Sequence, residues 1–186
     1  MELPSRAELL LLIRRIENPR TRCLLSLEYL TGARVSELLS IKRIQIEKKV
    51  IVGQDFIQLN QVKVLKRRRP FKRTVIIPIG KEREFLVFVI DYINKLAPDD
   101  LLFDFTRQWA WKLIKRHTGH YNHFWRHLRA THLTTDYGLT GQELRHFFGW
   151  ASSKMADNYS HLNVTDIARK MSLTDTKSVT TQPVTP

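Results

Sequence analysis

The sequence has little that would let the chain cross a membrane or be held together by disulfides. Cys23 is the only cysteine among 186 residues, so no internal disulfide can form, which is typical of a reducing compartment. The longest apolar run near the N-terminus, residues 9–13, is too short to span a bilayer, and no signal-peptide cleavage site follows it. No long basic amphipathic helix with an aromatic, lipid-facing side is evident. We therefore expect a cytoplasmic protein with no membrane partner.

Acidic residues are also scarce. Asp and Glu number 18 against 31 Lys and Arg, which gives a formal net charge of +13. So large an excess predicts a polyanionic partner, and nucleic acid is the first candidate. The length suffices for one apolar core without disulfides, and neither an internal repeat nor a change of composition marks a domain boundary.

Hydrophobic periodicity predicts a mainly α fold with one small antiparallel β-sheet inserted into it. Ser5 and Glu8 form a capping-box start to the first helix, and Gly32 suits the end of the second, after which a third is predicted over 33–41. Short β-rich runs surround a cationic stretch between residues 44 and 79, which predicts a sheet with a basic hairpin. Further helices are predicted over residues 82–96, 106–117, 123–133, 141–150 and 153–162. The domain should span residues 1–173, followed by a disordered Thr- and Pro-rich tail over 174–186.

The predicted hairpin carries a dense cluster of positive charge. Such a cluster repels itself unless it is solvated or faces phosphates. Side chains on a strand alternate between faces, so every second cation would be directed toward one surface. A solvated loop is the alternative, but the basicity of the whole chain favours a DNA-binding surface. The cluster has seven cations within eleven residues: Lys63, Lys66, Arg67, Arg68, Arg69, Lys72 and Arg73.

Arg34 lies at a tight corner between two predicted helices, within TGARVSELLSIK at 31–42. Glu37 follows one helical turn later, and such a pair is often only a modest surface contact. A planar guanidinium fixed at a corner also suits a phosphate, because it can donate two parallel hydrogen bonds. These residues alone leave both interpretations open.

The stretch HFWRHLRATHL at 123–133 places His123, Arg126 and His127 on one helix face, whereas Arg129 and His132 point elsewhere. A metal site is disfavoured, because Arg126 would repel a dication and no HExxH or paired-carboxylate pattern is near. A core position would leave polar groups without an acidic partner. A phosphate would satisfy His123 and Arg126 together.

Two aromatic residues complete the set of candidates, within HFFGWASSKMADNYSHLN at 146–163. Trp150 follows a glycine that should end a helix. Tyr159 comes nine residues later and has polar neighbours on both sides. In isolation this tyrosine is typical of an ordinary half-buried side chain.

In this order, the motifs resemble the catalytic domain of the tyrosine recombinases, the phage-integrase family. They are an arginine in TGARVSELLSIK, a lysine in the basic hairpin, His-x-x-Arg, a GW dipeptide, and a tyrosine nine residues further on. The resemblance covers residues 4–172 and is greatest to integrases of archaeal viruses and plasmids. It implies the fold of that catalytic domain and the activity of a site-specific DNA recombinase.

The resemblance also implies catalytic roles. Tyr159 would attack a DNA phosphodiester, giving a 3′-phosphotyrosyl intermediate and a free 5′-hydroxyl. Arg34 and Arg126 would bind the non-bridging oxygens, and His123 would assist proton transfer or donate to the phosphate. Trp150 stands where most members have histidine and would hold the phosphate through its indole N–H.

Three further roles follow from the same resemblance. Lys66 would be the general acid for the leaving 5′-oxygen, because it ends the apolar strand VKVL, and Lys63 and Lys72 are its competitors. Glu37 would orient local groups, and His127 would support the same helix face. Because the phosphotyrosine retains the bond energy, neither a metal nor ATP nor another cofactor is expected.

The implied partner is double-stranded DNA at a recombination site. The protein is expected to bind this DNA as a homotetramer, to be a monomer when free, and to be located at the nucleoid. Residues 163–173 have the amphipathic character of the C-terminal segment that family members exchange. The family's N-terminal core-binding domain is expected to be absent, since the resemblance starts almost at the first residue. The alternatives are a type IB topoisomerase-like nicking-closing activity and a non-catalytic DNA-binding protein.

Overall fold

The computed structural model describes residues 3–64, 71–151 and 154, and these form a mainly helical domain with a three-stranded antiparallel sheet. This confirms the predicted fold class. The predicted helix over 153–162 and the tail lie outside the described residues, apart from residue 154. The elements are α1 Arg6–Arg14, α2 Pro19–Thr31, α3 Val35–Leu38, β1 Ile46–Ile51, β2 Gln54–Val64, β3 Phe71–Pro78, α4 Ile79–Ile93, α5 Arg107–Thr118, α6 Asn122–Thr135 and α7 Gly141–Phe148.

Local sequence signals fix several helix ends. Ser5 and Glu8 form the predicted capping box at the start of α1. Gly32 ends α2 in the left-handed conformation with φ 55°, as predicted. The predicted third helix is shorter than expected, because α3 comprises only four residues. The Ser40 hydroxyl donates to the Glu37 carbonyl at 2.8 Å and competes with the helical hydrogen bond that would continue α3.

Helix α2 is the centre of the core. Every residue from Cys23 to Thr31 is buried, and α2 packs against α1, α3, α4, α6 and β3. The Tyr29 hydroxyl and His132 Nδ1 are 2.9 Å apart and join α2 to α6. Because α2 is surrounded, its C-terminal end lies inside the domain, where α3 and the ends of other elements meet it.

The sheet has the order β1–β2–β3 and contains one irregularity that matters for the hairpin. The register shifts between Leu59 and Val62, and Gln61 adopts φ 54° there. Beyond this bulge Lys63 pairs with Lys72, and both side chains are exposed on the same face, as the predicted alternation requires. Arg73 faces the opposite way and is 4% exposed. It is therefore not part of the exposed cationic surface that the sequence predicted.

A buried polar cluster ties three helices together around Glu82. Its carboxylate is fully buried in α4 and accepts hydrogen bonds from Arg6 of α1 at 2.8 Å and from Arg129 of α6 at 2.6 Å. The Tyr137 hydroxyl donates to the same carboxylate at 2.5 Å. Burial raises the pKa of Tyr137, so this hydroxyl stays protonated. Within the described ranges, no helix is long and apolar enough to cross a bilayer.

Candidate functional site

Three of the predicted site residues line one open cleft. Arg34, His123 and Arg126 share a cavity of about 820 Å³, although they come from opposite halves of the sequence. Arg34 lies at the N-terminal end of α3, and the other two lie on α6. The cleft therefore contains two guanidinium groups and an imidazole, the groups that bind a phosphate through charge-assisted hydrogen bonds.

Arg34 is held in place by Glu37. The Arg34 backbone N–H donates to one Glu37 carboxylate oxygen at 3.0 Å, and Nη1 of the same arginine donates to the other at 2.8 Å. Glu37 is fully buried, whereas the Arg34 side chain is 29% exposed. The carboxylate thus fixes the base of a guanidinium that still lines the cleft.

Arg126 and Arg73 form a buried pair that bridges the same two helix ends. Arg126 donates to the carbonyls of Gly32 at 2.7 Å and of Phe148 at 3.1 Å. Arg73 donates to the carbonyl of Thr31 at 3.2 Å and to that of Phe147. Carbonyls at a helix C-terminus carry partial negative charge and lack intrahelical partners, so cations are stabilised there.

This arrangement brings two positive charges close together. Burial, together with the charge of Arg126, lowers the pKa of Arg73 to about 9, which leaves it protonated at neutral pH. Each arginine contacts the end of α2 beside Arg34 and the end of α7 beside Trp150. The pair therefore fixes how these two ends meet behind the cleft.

The two histidines of α6 contact each other at the surface. The rings of His123 and His127 are 5.1 Å apart in an edge-to-face arrangement, and both residues are exposed. Partial burial and the charge of Arg126 hold the pKa of His127 below its usual value. Only His123 lines the cleft, while His127 lies beside it.

Trp150 packs behind Arg126. Gly149 ends α7 with φ 65°, and a Cβ atom at this position would lie 2.9 Å from a methyl carbon of Val64, so the backbone requires glycine. The Trp150 ring is 6% exposed and stacks on Phe148 at 4.7 Å. The guanidinium carbon of Arg126 lies 5.6 Å from the centre of the indole ring.

Several candidates lie outside the described residues: Lys66, Arg67, Arg68, Arg69 and Tyr159. Sequence reasoning missed a second group of cleft residues, which α5 and the residue before α6 supply. They are Arg107, Trp111, Lys112 and Tyr121. One signal was present, because Trp109 and Trp111 are two residues apart on a helix and cannot both face the core.

Comparisons with known proteins define the fold. No family model matches the sequence, and no curated protein matches it. The XerH site-specific recombinase bound to its difH substrate superposes with a TM-score of 0.64 at 21% identity, over 93% of this chain and 54% of that one. XerA recombinase gives 0.66 at 20% identity, over 94% and 65%. The catalytic domain of bacteriophage HP1 integrase gives 0.60 at 17% identity, over 98% and 99%.

The chain thus spans about half the length of the XerH structure and nearly all of the HP1 integrase catalytic domain. At these identities the likeness concerns the fold, which is that of the tyrosine recombinase catalytic domain.

Proposed function

We propose that this chain is the catalytic domain of a site-specific DNA recombinase, an integrase of an archaeal virus or plasmid. The observation that carries the proposal is the convergence of Arg34, His123 and Arg126 in one cleft. Because the fold is similar to that of recombinase structures, we infer that the phosphate bound in this cleft belongs to a DNA phosphodiester. The net charge of +13 agrees with such a substrate.

The proposed reaction uses the cleft as a binding site for the scissile phosphate. Arg34 and Arg126 donate hydrogen bonds to its non-bridging oxygens and stabilise the charge that develops in the pentavalent transition state. His123 assists proton transfer from the nucleophile or donates to the phosphate. The Tyr159 oxygen bonds to phosphorus, and the bond to the 5′-oxygen breaks.

The remaining steps complete the exchange. Lys66 donates a proton to the leaving 5′-oxygen, and Lys63 and Lys72 are its competitors for this role. Trp150 stands where most family members have histidine, and it packs behind Arg126 and supports this side of the site. A 5′-hydroxyl of another strand then attacks the phosphotyrosine, which restores a phosphodiester and frees the tyrosine. The chain acts on double-stranded DNA as a homotetramer, without metal or ATP.

A nicked suicide duplex tests the proposal. Duplexes of randomised sequence, incubated with the protein and EDTA, should give a covalent protein–DNA band on a denaturing gel. The band should disappear in Tyr159→Phe and persist in the control Tyr92→Phe, whose hydroxyl donates to the Leu102 carbonyl away from the cleft.

Three other outcomes would contradict the proposal. A band that persists in Tyr159→Phe would remove this residue as the nucleophile. Relaxation of supercoiled plasmid without exchange between two DNA molecules would indicate a topoisomerase-like activity, and binding without any covalent product would indicate a DNA-binding protein.

A further inference from the structure

The proposed reaction uses only some of the residues that line the cleft. Arg34, His123 and Arg126 form the phosphate wall. The same cleft is also lined by an aromatic wall, which we define as Arg107, Trp111, Lys112 and Tyr121. Its two cations and two large rings have no part in the phosphoryl transfer described above.

The rings of the aromatic wall are exposed and already arranged. Trp111 is 42% exposed and Tyr121 is 56% exposed, although large aromatic rings are mostly buried on average. The two rings stack with centres 5.9 Å apart and an angle of 29° between their planes. Lys115 Nζ lies 3.8 Å from the centre of the Tyr121 ring and holds it from α5. Trp111 therefore lines the cleft with its indole supported by Tyr121.

We propose that Trp111 stacks on an unpaired base of the nucleotide next to the bound phosphate, which adds a nucleobase site to the proposed function on which it rests. A phosphate and its base are joined by one sugar, so both fit one cavity of about 820 Å³. Stacking on an aromatic ring is sequence-tolerant, because every base has a π-face. Arg107 and Lys112 line the same cleft and would bind the neighbouring phosphates.

The base must be unpaired for a geometric reason. In an intact duplex both faces of each base are covered by its neighbours, so an indole gains contact only with a base that has left the stack. Removing a base from the stack costs a few kcal/mol, least where the base is already mismatched. The aromatic wall should therefore favour DNA with an unpaired base beside the phosphate.

Binding of fluorescent duplexes tests this inference in the full chain carrying Tyr159→Phe, so that no covalent product forms. The probes are a fully paired duplex and the same duplex with one unpaired 2-aminopurine. We expect the unpaired probe to bind about tenfold more tightly, the order expected for one base–aromatic stack, with quenching of its fluorescence. Trp111→Ala should abolish both the preference and the quenching, whereas Trp111→Phe should retain most of the preference.

Trp109→Ala is the matched control, because Trp109 lies on the same helix, is 52% exposed and does not line the cleft. It should keep the preference and the quenching. Equal loss of affinity for both probes in Trp111→Ala would overturn the inference and indicate contact with the groove of paired DNA. A covalent band in the suicide assay together with no preference for the unpaired probe would overturn this inference alone. Failure to bind either probe would overturn the proposed function as well.

Discussion

Replacing Glu82 by glutamine should destabilise the domain strongly, because this carboxylate is the centre of the buried cluster that joins α1, α4 and α6. The substitution keeps the shape of the side chain and removes its charge. Arg129, whose side chain is 1% exposed, would then keep its own charge in the core without an anion. Breaking a buried ion pair by removing one partner costs about 3–5 kcal/mol. For a domain of this size that corresponds to a fall in melting temperature of about 10 °C.

The measurement is equilibrium unfolding in urea at neutral pH, and the structure supplies a matched control. Arg14 and Glu84 also join α1 to α4, at 3.4 Å, but their side chains are 53% and 60% exposed. An exposed pair of this kind contributes about 0–1 kcal/mol, so Glu84→Gln should change the free energy of unfolding very little. The double variant Glu82→Gln/Arg129→Met should lose less stability than the two single losses added together, because the two groups interact.

A free energy of unfolding for Glu82→Gln that equals that of Glu84→Gln would refute this reasoning. Additive losses in the double variant would refute it as well, since they would mean that Arg129 and Glu82 do not depend on one another. This ion pair also bears on the cleft. Arg129 lies one helical turn after Arg126 on α6, and its contact with Glu82 holds this helix against α4.

Two further predictions concern Arg73 and His132. Arg73→Met should slow the proposed DNA cleavage about 100-fold in a single-turnover assay, with little change in DNA affinity. The reason is that the ends of α2 and α7, which place Arg126, would shift. An unchanged cleavage rate would contradict this prediction. Burial lowers the pKa of His132 below its usual value of 6.5. As the pH falls below 6.5, the imidazole is therefore protonated in the unfolded chain before it is protonated in the folded one, and the free energy of unfolding decreases. The melting temperature should therefore fall less between pH 7 and pH 5 in His132→Gln, and equal slopes in both proteins would argue against it.

Local signals in the sequence predicted the helix ends and the placement of residues around α6. The capping box at Ser5 and the glycine at the end of α2 depend on neighbours within a few positions, so the sequence was sufficient to find them. The helical period also separated the face of His123 and Arg126 from that of Arg129 and His132, and the structure confirms that separation.

Contacts between distant segments could not be predicted in the same way. Arg73 was assigned to an exposed surface because it belongs to a run of cations, yet the register beyond the bulge at Gln61 turns it toward carbonyls 42 and 74 positions away. The pairing of Arg129 with Glu82, 47 positions apart, likewise depends on how α4 meets α6. The position of α5 beside the cleft depends on tertiary packing, so the helix was predicted and its contribution to the cleft was not.

The hydrogen bonds of Arg73 and Arg126 to the ends of α2 and α7 also bear on the order in which the domain folds during its synthesis. Arg126 reaches a carbonyl 94 positions earlier and another 22 positions later. The contact with the earlier carbonyl closes a long loop, and such contacts form after local helices. A nascent chain therefore exposes its basic segments before α7 has been synthesised, but it lacks the support for Arg126. In such a chain the position of the Arg126 guanidinium is not yet fixed.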